Sequence, residues 1–159
     1  MKVKGLLFIA VILLGWTVTA KTAWAVFSID IDTPNIDFGV MNIGDQRSDV
    51  PARGVVVTCA SNQGNLWKLN VYAQQPFTHE NNSLSIIPNS DFYWFGVNTN
   101  GSGILKKIAE DFTFEKTVYE AGSGEGSPPV SIEVRFRLDV RDFIQSGGYQ
   151  TRVIFTMFE

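Results

Sequence analysis

Apolar and polar residues alternate with a period of two along most of this chain. The longest run is 130–140. There Val130, Ile132, Val134, Phe136, Leu138 and Val140 fall on one face, and Ser131, Glu133, Arg135, Arg137 and Asp139 on the other. Strict alternation over eleven residues predicts a strand with one packed face and one wet face, since a helix would scatter those apolar positions around its circumference. Phe27, Ile29 and Ile31 alternate with Ser28, Asp30 and Asp32 in the same way. Val55, Val57 and Cys59 share a face, which places the cysteine inward. Trp67, Leu69, Val71 and Ala73 alternate with Lys68, Asn70, Tyr72 and Gln74. Phe112 and Phe114 open a weaker set that reaches Lys116 or Val118. Between Tyr149 and Phe158, Val153, Phe155 and Met157 take one face while Ile154 and Phe158 take the other. Apolar residues on both faces predict a central strand, or an edge covered by something else.

Glycine and asparagine clusters separate these runs: 62–65, 98–101, 122–126 and 146–148. Both residues reach positive φ at little cost, so each cluster predicts a turn. Helical periodicity is confined to Ile104–Asp111, where one or two turns would put Leu105, Ile108 and Ala109 inward. About eight short strands with no helices between them predict an all-β fold, an antiparallel sandwich of about 7–9 strands.

The start of the chain has a different pattern. Lys2 and Lys4 precede a nearly unbroken apolar run, Leu6 to Leu14, and Ala23-Trp24-Ala25 supplies small residues on both sides of a cut. That layout predicts a cleaved signal peptide at residues 1–25, with a second acceptable cut after Ala20. A full membrane span needs about 20 apolar residues, and Gly15, Thr17, Thr19 and Lys21 interrupt this one. The mature chain, 26–159, is then expected to be a single domain, secreted, periplasmic or on the cell surface, with no membrane span of its own. Three of the 13 basic residues lie in the leader, so 10 remain against 16 acidic ones, a net charge of −6. With no lysine-arginine cluster, nucleic acid is not an expected partner. One cysteine makes no internal disulfide, so stability must come from packing.

Few residues point to chemistry. His79 is the lone histidine and lies in a polar stretch, while Cys59 is an inward strand residue, so a thiol–imidazole pair is not expected. No nucleophile-elbow or phosphate-loop pattern is present, and the expectation is a protein without enzymatic activity or cofactor. Asp30, Asp32 and Asp37 offer oxygen ligands suited to calcium, although Asp30 and Asp32 are equally the wet face of a strand. Glu120 and Glu125 flank the glycine cluster as a second carboxylate pair. Phe92-Tyr93-Trp94-Phe95 must send two rings to each side of a strand. Either the strand is buried on both faces, or Tyr93 and Trp94 form an exposed contact for a glycan or a protein.

Four stretches carry a resemblance. They are Ile36-Asp37-Phe38-Gly39-Val40-Met41-Asn42-Ile43-Gly44-Asp45, then Val55-Val56-Val57-Thr58-Cys59-Ala60-Ser61-Asn62-Gln63-Gly64-Asn65, then Trp67-Lys68-Leu69-Asn70-Val71, and finally Gly147-Gly148-Tyr149-Gln150-Thr151-Arg152-Val153-Ile154-Phe155. Together they resemble exported bacterial immunoglobulin-like β-sandwich domains. The ending, with Phe158 next to last, is similar to pilus and fimbrial subunits, many of which carry a disulfide that one cysteine cannot make. This resemblance implies a structural or adhesive protein of the cell envelope or extracellular space. It would meet a protein or glycan at the cell surface, or self-associate through a donated N-terminal strand with Phe27, Ile29 and Ile31 as the inserted side chains. A carbohydrate-binding module is the alternative.

Overall fold

The computed structural model describes residues 25–141 and 145–159. Apart from Ala25, the expected leader lies outside the described residues. The strands in chain order are β1 (Phe27–Ile31), β2 (Gln46–Ser61), β3 (Lys68–Ala73), β4 (Phe77–His79), β5 (Asn82–Ile87) and β6 (Phe92–Thr99). They continue with β7 (Ile104–Leu105), β8 (Glu110–Asp111), β9 (Lys116–Glu120), β10 (Val130–Asp139), β11 (Tyr149–Gln150) and β12 (Val153–Phe158). The excess over the expected seven to nine lies in the two-residue strands β7, β8 and β11.

The fold is an all-β sandwich of antiparallel sheets. One sheet has the order β1-β2-β10-β6-β8, the second β12-β3-β9-β7, and a small third sheet has β11-β4-β5. β10 lies at the centre of the first sheet, as its alternation predicts, and Val130, Ile132, Val134, Phe136 and Leu138 are all buried. They meet Val55, Val57 and Cys59 of β2, Trp94 of β6, Leu69 and Val71 of β3 and Val118 of β9 in one core. Phe92, Phe112 and Phe136 stack within it, with Phe92 and Phe112 centroids 4.3 Å apart. Cys59 is buried, and burial pushes its thiol up to about 12. Among the described residues, no helix is long and apolar enough to cross a membrane.

Two local expectations are corrected. Residues 104–111 form β7 and β8 rather than a helix, and Ile108 is exposed. The reason is tertiary: Gly96 N donates to Lys106 O at 2.8 Å and Lys106 N donates to Val118 O at 2.9 Å, so the backbone is drawn between two sheets. Phe112 is buried but Phe114 is exposed, because Asp111 Oδ1 accepts from Thr113 N at 3.0 Å and turns the chain there. Of the two alternatives for the terminal strand, the edge is the one found: β12 pairs with β3 alone.

β2 bends where it crosses β10. Between the pairs Val134–Val55 and Phe136–Val50, β10 uses one residue and β2 uses four, Pro51 to Gly54. Gly54 closes this bulge at φ +73°, and a Cβ there would collide with Glu133 Cγ. Gly54→Ala is therefore expected to destabilise the fold by about 1–3 kcal/mol through a strained backbone and the clash. Urea unfolding reads this directly; an unchanged midpoint would mean that the bulge relaxes without cost.

Candidate functional site

The two sides of the sandwich are built differently. On one side, the Lys106 backbone bridges β6 and β9 and joins the sheets. On the other side the sheets end at β1 and β12, and no strand pairs across that gap among the described residues. Alternation puts Phe27, Ile29 and Ile31 on the inward face of β1, opposite Ser61, Cys59 and Val57. The inward face of β12 carries Val153, Phe155 and Met157, opposite Ala73, Val71 and Leu69. These positions would be core in a closed sandwich. Here Val153, Phe155 and Met157 are only half-buried, and Phe27 and Ile31 remain 39% and 37% exposed.

A cavity of about 470 Å³ opens on this side, with Val55, Phe92 and Phe136 of the core reaching its wall and Phe155 at β12. A second cavity, of about 450 Å³, shares Ile36, Phe38, Phe77 and Tyr149 with the first. The two form one trough of mixed polar and apolar lining, with those four side chains between its compartments. Arg152 is the one charged residue lining the first compartment among the described residues. Ion pairs among the described residues use Lys68, Lys116, Arg135, Arg137 and Arg141, and none uses Arg152. One end of the trough is held by His79, the lone histidine. Its Nδ1 accepts from Asn81 N at 3.1 Å, which leaves Nε2 to donate to Ser146 O at 3.1 Å.

β1 itself pairs in cis with β2, and an Asx side chain clasps each end. Val26 N donates to Asn62 Oδ1 at 2.8 Å. Val56 N donates to Asp32 Oδ1 at 2.8 Å, and Asp32 N returns a bond to Val56 O at 3.1 Å. The strand therefore has a defined seat with a half-covered apolar face.

The remaining expected residues are dispersed. Trp94 is fully buried with Phe92, so its expected role as a surface contact is corrected: even positions of β6 face the core. Tyr93 lies on the outer face, but the Arg137 guanidinium sits 3.9 Å over its ring and Arg141 Nη2 donates to its hydroxyl at 3.0 Å. That ring face is already in use. Asp32 holds Val56, Asp37 Oδ1 accepts from Gly39 N at 2.7 Å, and Asp30 is exposed on β1. No group of three or more His, Cys, Asp or Glu suited to a metal ion occurs among the described residues. Cys59 and His79 lie in different sheets. Glu120 pairs with Lys68 at 3.3 Å, apart from Glu125. Sequence reasoning passed over Arg152, although its place one residue before an alternating terminal strand was the available signal.

Glu125 locks the closed end of the molecule. Its carboxylate accepts from Tyr119 Oη at 2.7 Å, from Gly122 N at 2.7 Å and from Ser102 N, while Trp67 Nε1 donates to its carbonyl at 2.8 Å. Partial burial pushes the Glu125 carboxyl up, but the bonds from Tyr119, Ser102 and Gly122 outweigh it and bring it to about 2. Burial, and then the bond to Glu125, push the Tyr119 hydroxyl up to about 12.

Comparison with known families, characterised proteins and solved structures finds no match.

A carboxyl with a depressed folded pKa stabilises the fold fully above its unfolded value and loses that contribution as pH falls through the folded one. The Glu125 contribution is thus present above the ordinary 4.5 and lost towards about 2. Glu125→Gln should lower the midpoint of urea unfolding at neutral pH and flatten the acid limb of the stability curve. If mutant and parent show parallel curves between those pH values, the carboxylate is not the lock. Cys59 should resist thiol reagents in the native protein and react once unfolded, since a buried thiol held as SH is a poor nucleophile. Rapid labelling under native conditions would place it at the surface instead.

Proposed function

We propose that this chain is an exported, non-enzymatic structural protein of the cell envelope or extracellular space. It is taken as an immunoglobulin-like sandwich that works by strand-mediated assembly, with residues 26–32 of one copy donated to another. The observation that carries this proposal is the asymmetry of the sandwich. One side is stitched through Lys106, and on the other β12 hydrogen-bonds to β3 alone, with β1 of the same chain near its open edge and a partly apolar trough beside it. A free edge offers a row of backbone donors and acceptors, and pockets beside it select alternate side chains; together these are the requirements for adding a strand.

The chain also holds a strand of the right pattern. Complete burial of a side chain of this size contributes about 1.5–3 kcal/mol. Phe27 and Ile31 leave more than a third of their surface in water in cis, so about 0.5–1 kcal/mol each is still to be gained by a better seat. The resemblance of the terminal strand to pilus and fimbrial endings supports the same proposal. The carbohydrate-binding alternative loses support, because Trp94 is in the core and Tyr93 is covered by Arg137.

The test is the oligomeric state of the secreted protein and of a variant lacking Val26–Asp32. The parent should form concentration-dependent oligomers by light scattering. The truncated protein should stay monomeric, with a lowered Tm that rises when a peptide of residues 26–32 is added. A truncated protein that remains folded with unchanged stability, beside a parent that is monomeric at every accessible concentration, would end the strand-donation idea.

A further inference from the structure

We infer that Arg152 is the residue that selects the incoming strand, by pairing with Asp32 of a second copy in one antiparallel register along β12. The inference rests on the assembly proposed above and adds the partner's identity, its direction and its register.

The register follows from alternation. Residues directly opposite in an antiparallel pair point to the same face. Setting Phe27 of one copy opposite Met157 of another brings Ile29 opposite Phe155 and Ile31 opposite Val153. All three apolar residues of the donated strand then meet the three half-buried inward residues of β12. The next residue along is Asp32, and it falls opposite Arg152. On the same outer face Ser28 meets Thr156, and Asp30 stands diagonal to Arg152. A slip of one residue would turn the apolar set to solvent. A slip of two would keep the faces but leave Met157 or Val153 without an apolar partner.

Charge fixes the direction. In a parallel arrangement with the same faces matched, Phe27 meets Val153 and Ile31 meets Met157. Asp32 then falls at Phe158, next to Glu159, and Arg152 meets Val26. That arrangement brings two carboxylates together and leaves the cation without a partner. The antiparallel one sets Asp32 beside Arg152 on the outer face of β12 and leaves Glu159 away from the junction. Arg152 makes no ion pair with the described residues of its own chain and is exposed, so it is available to a partner. Asp32, by contrast, is committed in cis to Val56 N. Its carboxylate serves either its own β2 or a neighbour's Arg152, which couples release of β1 to its capture.

The experiment is a charge swap read in full-length secreted protein, first at each residue alone and then at both in one chain. Arg152→Glu alone sets two carboxylates against each other at the junction, and Asp32→Lys alone sets two cations there. Each variant alone should associate roughly tenfold more weakly than the parent. The difference should shrink at about 1 M salt, where the screening length is ~3 Å. In the double variant, Asp32→Lys with Arg152→Glu, every junction sets a lysine opposite a glutamate, so it should recover association that neither single variant shows. A merely structural role for each residue would make the double variant weaker than either single one, not stronger. The milder pair Arg152→Gln and Asp32→Asn, with thermal unfolding of each monomer, keeps the test valid where a reversal disturbs folding; each should weaken association without lowering the Tm. Parent-like assembly of Arg152→Glu would overturn the inference while leaving strand-mediated assembly standing. Failure of the double variant to recover would do the same. A parent that never assembles, yet binds a long-chain fatty acid in an Arg152-dependent way, would overturn both and assign the trough to an amphiphile.

Discussion

The inward row of β10 is the contact on which the rest depends. Val130, Ile132, Val134, Phe136 and Leu138 pack beneath both neighbours of β10 in its sheet and against the opposite sheet. With one cysteine in the chain, no internal disulfide supplements that packing. The core is correspondingly rich in large rings, and Phe92, Phe112 and Phe136 form a continuous stack. Trp67 and Tyr119, at 5.5 Å, extend it towards the loop that Glu125 locks. Aromatic pairs bury large areas with defined geometry, which suits a domain that must hold its two sheets in register by side chains alone.

A core built around one central strand leaves the sheet edges to be settled separately. The β6–β9 side is settled by backbone: Lys106 bonds to both sheets and β8 covers the end of β6. The β1–β12 side is settled by charge. Edge strands invite unwanted pairing, and charged residues along them are a common defence. β1 carries Asp30 on its outer face with Asp32 just beyond its end, and Arg152 stands at the start of β12. Charges of opposite sign on two such edges repel copies of themselves and attract each other. In the assembly proposed above, a defence against indiscriminate association would also serve as a code for one particular partner.

Much of this architecture was legible in the sequence. The alternation from Val130 to Val140 marked the central strand, and Val55, Val57 and Cys59 marked the inward face of β2, because both are half-buried sheet positions where period two is enforced by burial. Ile104–Asp111 misled because its apolar spacing fits a helix locally, whereas two hydrogen bonds of Lys106 to distant strands decide its conformation. The β12 segment was ambiguous: apolar residues on both faces fit a central strand or a covered edge, and only the pairing, with β3 alone, decides for the edge. The aromatic run was ambiguous by nature: period two assigns two rings to each side without saying which side is the core, and only the pairing of Trp94 with Phe136 resolves it.

If β1 is donated as proposed, its cis seat constrains the transfer. Moving a strand from one edge to another roughly conserves backbone hydrogen bonds, so the ladder itself gives little preference. What differs is the side chains. In cis, Phe27 and Ile31 stay partly wet, while Asn62 and Val56 hold the two ends of the strand. On β12 in the proposed assembly the same apolar residues would gain partners, and Asp32 would exchange a backbone amide for a guanidinium. A hydrogen bond to a charged partner is the stronger of the two when both are equally dry. At an exposed rim that advantage is small, so burial must drive the transfer and charge must choose its register. In that proposal the donor would be held firmly enough to keep a lone molecule intact, and loosely enough that a correctly matched edge competes for it.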